Sequence, residues 1–98
     1  MPYLENTPPR RSIARTLTVS TNGITQIARA TGTRRWELQC RTVGPPGAMA
    51  MFICGNNPSD GIMVPAGSEQ RVWLSPGEDL YAQSDTADTQ VSVSGGEQ

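Results

Sequence analysis

Few side chains in this 98-residue sequence can do chemistry, and the absences narrow the choice first. There is no histidine and no lysine, so the usual general base near neutral pH and the usual Schiff-base amine are both missing. Cys40 and Cys54 are the only cysteines, and neither has a base or an orienting group in view. Two cysteines without histidine cannot close a zinc site within one chain. Glu78 and Asp79 are adjacent carboxylates, but neighbours on a strand point to opposite faces. Asp85-Thr86-Ala87-Asp88 offers too few oxygen ligands for a dedicated calcium loop. Gly61, Gly67 and Gly77 fall in separate turns and do not gather before a helix to cradle a phosphate. An enzyme is not expected, and neither is a cofactor or a metal.

What remains is arginine and aromatic rings. All eight basic residues are arginines, which make forked hydrogen bonds and stack on aromatic faces. Arg10-Arg11, Arg34-Arg35 and Arg41, with Trp36 and Tyr3, have the residue types to follow a phosphate backbone and stack bases. The net charge of −1 argues against nucleic acid, whose partners are usually basic. In RVWLSPGEDLYAQSD (71–85), Val72 and Leu74 share one face, which leaves Arg71 and Trp73 on the other. Tyr81 alternates out against Leu80 and Ala82. Two outward aromatic rings can stack a sugar, or they can meet another protein chain.

The elements that must position these rings read as short strands. ARTLTVS (14–20), ITQIARA (24–30), RRWELQCRTV (34–43), AMAMFICG (48–55), GIMVPAG (61–67), EQRVWL (69–74), EDLYAQS (78–84) and TQVSVS (89–94) are separated by turn signals. Asn22-Gly23 is a strong hairpin signal. In 34–43, Trp36, Leu38 and Cys40 point one way and Arg35, Glu37, Gln39 and Arg41 the other, which places Trp36 in the core. AMAMFICG is continuously apolar and reads as a central strand buried on both sides. Pro65 fits an edge or a strand end. Spacing this tight leaves no room for helical crossovers, so the sheets should be antiparallel. The expected fold is all-β: an antiparallel β-sandwich or small barrel of about eight strands, with a jelly roll among the arrangements open to it. Residues 1–12 are expected to be an extended, proline-rich arm, 13–94 the sandwich and 95–98 a C-terminal tail.

Charge and length bear on partners. Residues 1–41 hold seven arginines against Glu5 and Glu37, whereas 42–98 hold Arg71 against seven acids. Opposite charge on two surfaces suits contact between subunits, unless the fold interleaves the halves and mixes the charges. A chain this short buries a modest core, so partner chains would help it. No stretch approaches the apolar length that spans a membrane, and MPYLENTPPRR lacks the apolar core of a signal peptide. Synthesis in the cytosol is therefore expected, with both cysteines free and buried.

Between Phe52 and Val93, a strand ending at Gly55 leads to Asp60-Gly61 and the short strand from Ile62 to Gly67. Arg71 to Leu74, Asp79 to Ala82 and a closing Thr89 to Val93 follow. This run resembles the C-terminal half of many small tailed-bacteriophage structural proteins. The resemblance covers a little under half the chain and rests on turn and strand residues. It implies a non-enzymatic virion component assembled in the host cytoplasm. The first expectation is a capsid decoration (cement) protein, a dimer or trimer that stabilises contacts between major capsid subunits. A neck or tail component, such as an adaptor or fibre-base module, is the alternative. A carbohydrate-binding β-sandwich for host attachment is a third reading. The expected contact residues are Tyr3, Leu4, Arg10 and Arg11 in the arm, with Trp73 and Tyr81 on the body. For Tyr81, a place in the protein's own core stays equally open.

Overall fold

The computed structural model describes residues 11–55, 61–85 and 87–98. Eight strands follow one another: β1 (Ser12–Val19), β2 (Thr25–Arg29), β3 (Trp36–Gly44), β4 (Met49–Cys54), β5 (Ile62–Pro65), β6 (Glu69–Leu74), β7 (Asp79–Ser84) and β8 (Thr89–Glu97). They form two four-stranded sheets. The front sheet has the order β1-β8-β3-β6 and the back sheet β2-β7-β4-β5. Every pairing is antiparallel. The pairs β1–β8, β2–β7, β3–β6 and β4–β5 nest one inside the next around β4–β5, which is the winding of a jelly roll.

Three corners between the sheets share one local chemistry. Pro45-Pro46-Gly47-Ala48, Pro65-Ala66-Gly67-Ser68 and Ser75-Pro76-Gly77-Glu78 each close with the fourth N–H donating to the first carbonyl, at 3.0 Å. Each carries its glycine at the third position with φ between 83° and 89°. That is the conformation a type II turn demands of its third residue. These turns take the chain from β3 to β4, from β5 to β6 and from β6 to β7, changing sheet each time.

Period-two alternation then fills the space between the sheets. Leu38, Cys40, Val72, Leu74, Val91 and Val93 point in from the front sheet, and Ile27, Ala50, Phe52, Val64, Leu80 and Ala82 from the back sheet. Phe52, the only phenylalanine, is fully buried. Burying such a side chain contributes roughly 1.5–3 kcal/mol. Trp36 lies in this core as expected, its indole N–H donating to the Thr31 carbonyl at 2.9 Å. The buried hydroxyls are partnered: Thr42 donates across the sandwich to the Val64 carbonyl at 2.8 Å, and Ser84 and Thr89 bond each other at 2.7 Å.

Several expectations need correction. Asn22-Gly23 turns the chain but forms no hairpin, because β1 pairs with β8 and β2 with β7. β8 continues three residues past Ser94, so most of the expected tail is strand: Gly95 lies opposite Leu38 and Glu97 opposite Trp36. At the other end β1 begins at Ser12, and Arg11 exchanges bonds with Glu97. Gly95 and Gly96 permit this extension. A Cβ on Gly95 would overlap the Glu37 carbonyl oxygen and sit 2.9 Å from the Leu38 Cα, and one on Gly96 would lie 2.5 Å from the Arg11 carbonyl oxygen. The acidic and basic halves of the sequence are interleaved, since each sheet takes strands from both.

Candidate functional site

The outer faces of the two sheets carry what the core does not use. On the front sheet the ladder places Trp73 beside Glu37, Arg71 beside Gln39 and Glu69 beside Arg41. Trp73 is 45% exposed. Arg35 lies over its ring, 4.6 Å from the centroid, an arrangement in which the ring quadrupole attracts the cation. Arg71 pairs with Glu37 at 3.3 Å, and Gln39 bonds Glu69. Arg35, Arg41 and Arg71 thus outnumber Glu37 and Glu69 around the tryptophan. Across β8 and β1 the same face is built of small residues: Ser92, Ser94 and Gly96 beside Thr16, Ala14 and Ser12.

The back sheet presents a different surface. Met49 pairs with Pro65, Met51 with Met63, and Ile53 with Tyr81. Ala50 and Phe52 point inward, so Met49, Met51 and Ile53 point out. Met49 and Met63 are exposed, Met51 is half-buried and Ile53 is buried, although it lies outside the main core cluster. Thr21, Met51, Met63, Gln83, Ser84 and Asp85 line a depression of about 240 Å³ on this side. Gln83 fixes its rim by donating to the Thr21 carbonyl at 3.1 Å. Beyond Tyr81 the face turns polar, where Asp79 holds Arg29 at 3.6 Å and accepts from Gln26 at 3.0 Å.

This corrects the reading of AMAMFICG as buried on both sides: Ala50 and Phe52 are buried inward and Ile53 is buried on the outward side, but Met49 is exposed and Met51 only half-buried. Met at every second position was the available signal, but methionine's apolar character hid it in a run judged by hydropathy alone.

The expected contact residues do not gather in one place. Trp73 is on the outer face of the front sheet and Tyr81, half-buried, on that of the back sheet, with the whole core between them. Arg11 is exposed, its guanidinium close against Gly32. Tyr3, Leu4 and Arg10 lie outside the described residues.

Among the described residues no three metal-ligating side chains cluster, and no helix is long and apolar enough to cross a membrane. Both cysteines are free thiols, Cys40 buried and Cys54 only half-buried, contrary to expectation for Cys54. Burial pushes the Cys40 thiol up to about 12, with Cys54 adding to the effect. Burial also raises Cys54, as does the negative charge of Glu78. Neither is an activated nucleophile. A groove of about 440 Å³ runs between edge strands β1 and β2, where Arg15 donates to the Ile27 carbonyl at 2.9 Å. That bond explains how a charge sits at an inward strand position: it spans the open seam of the sandwich.

No protein-family model matches the chain, and no curated protein matches it in sequence. Its fold is similar to that of a chain from the Bacillus endospore appendages, described as a novel family of disulfide-linked pili. The TM-score is 0.63 at 8% identity, over 92% of this chain and 88% of that one. At that identity the likeness concerns the fold.

Proposed function

We propose that this chain is a non-enzymatic structural subunit of a protein assembly and contacts copies of itself. The observation that carries this reading is the exposure of large apolar side chains on both outer faces, Trp73 on one and Met49 and Met63 on the other. Such patches mark interaction surfaces, and aromatic residues, methionine and arginine are the types enriched there. The lack of histidine and lysine supports a role without catalysis. The fold likeness to a pilus chain is consistent with a filament, though Cys40 is too deeply buried to supply a cross-link. The virion decoration role implied by the Phe52–Val93 resemblance is a second form of the same subunit chemistry, bound to a shell instead of to a strand of copies. Sugar binding is less well supported, because Arg35 already occupies one face of the Trp73 ring.

Electron microscopy of the concentrated, reduced chain tests this reading. Ordered filaments, rings or small closed oligomers are expected. Featureless single particles at every concentration would overturn it.

A further inference from the structure

The two outer faces are complementary, and we infer that copies associate head to tail, the front sheet of one on the back sheet of the next, with Trp73 entering the Met51–Met63 depression. This rests on the assembly reading and specifies its geometry. Trp73 is a rigid projecting ring, 45% exposed. The back sheet offers a depression of about 240 Å³ with two thioethers on its wall. Methionine adapts its shape and makes favourable sulfur–aromatic contacts. Charge adds direction. Arg35 travels with the indole it covers, and Asp85 lines the receiving depression. On the back sheet Arg29 is held by Asp79, so the positive charge there is engaged away from the methionine end. Pairing two front faces would set arginine against arginine and leave both depressions empty. Pairing two back faces would leave both tryptophans in water.

The two surfaces lie on opposite sides of the sandwich, so the contact uses different patches on each copy. A heterologous contact of that kind builds a ring if its rotation closes and a filament if it does not. Packed sheets are spaced about 10 Å apart, so each stacked copy adds about 20 Å along the stack.

Two surface variants test the geometry under reducing conditions. Trp73→Ala removes the plug and leaves the depression. Met63→Glu spoils the depression and leaves the plug. Circular dichroism checks that both fold, and light scattering after size exclusion reads the mass. Wild type is expected to grow with concentration, and each variant alone to stay monomeric, with self-association weakened at least about tenfold. Mixed in equal amounts, the variants are expected to form a dimer and stop, because one good plug and one good depression remain and are consumed. If wild type assembles and both variants assemble equally well, this geometry is wrong while the assembly reading survives. One variant that still assembles while the other stays monomeric would mean a same-face contact and would overturn it, as would monomeric variants that ignore each other when mixed. A monomeric wild type would sink both. If Trp73→Ala fails to fold, Arg35→Asp and Asp85→Arg replace the pair: each weakens association alone, and the double variant recovers it.

Discussion

Replacing Gly95 by alanine probes the tightest point in the sandwich, and Gly67→Ala is its control. Both glycines hold positive φ, +146° and +89°, so alanine strains the backbone at either site. That strain costs about 1–2 kcal/mol at Gly67 and about 1–3 kcal/mol at Gly95, whose φ is essentially confined to glycine; about 0.4–1 kcal/mol returns at each because alanine also restricts the unfolded chain. Around Gly67 nothing lies within 4 Å of a new Cβ, so the strain is the whole effect. At Gly95 the new Cβ meets the Glu37 carbonyl oxygen and the Leu38 Cα, which are backbone atoms and cannot rotate away. Overpacking of this kind adds about 1–3 kcal/mol. Gly95→Ala should therefore lose at least about 1–3 kcal/mol more than Gly67→Ala. Against a total stability of roughly 5–15 kcal/mol the difference is readily measured. In urea, with a slope of about 1–3 kcal/mol per molar, a 2 kcal/mol difference moves the midpoint by about 1 M. Equal midpoints for the two variants would refute the close approach of β8 to β3.

Other outcomes follow from the same geometry. Thr42→Val strands the buried Val64 carbonyl that Thr42 now serves and should cost about 1–3 kcal/mol by the same urea measurement. Cys40 is pushed up from 9.0 to about 12 in the fold, so above pH 9 the unfolded chain loses its proton first. Its contribution is complete below pH 9 and is lost as pH rises towards 12, at up to about 1.4 kcal/mol per pH unit, and Cys40→Ala should flatten that decline in alkaline melts. A thiol reagent near pH 8 should label Cys54 slowly and Cys40 only on unfolding. Deletion through Arg11 removes the bonds it makes with Glu97 and should lower the urea midpoint by that loss.

The strands were legible because each carries its own alternation or β-branched content, and all eight appear close to their expected bounds. Which strand pairs with which was not legible. Asn22-Gly23 announces a reversal, but β1 pairs from Val19 with Thr89 to Ser12 with Gly96, far along the chain, a partner chosen by burial across the whole sandwich. The proline-glycine corners were visible as turns, yet nothing local distinguishes a corner between sheets from a hairpin within one. Gly95-Gly96 reads as a fraying tail because glycine is poor in strands. Only the crowding by β3 and β1 reveals why glycine is required. Trp73 was correctly placed outward by its neighbours Val72 and Leu74, while the methionine face escaped because a hydrophobic run does not say which side is covered. Trp73 and Tyr81 lie on opposite faces for a topological reason: β6 and β7 are adjacent in sequence and belong to different sheets.

Sedimentation equilibrium of the reduced wild-type chain, from about 1 μM to about 1 mM, tests self-assembly most directly. An average mass that climbs above 10.5 kDa with concentration is the expected result. A mass fixed at the monomer value across the whole range would contradict a self-contacting subunit and leave the exposed Trp73 and methionine faces to a different partner.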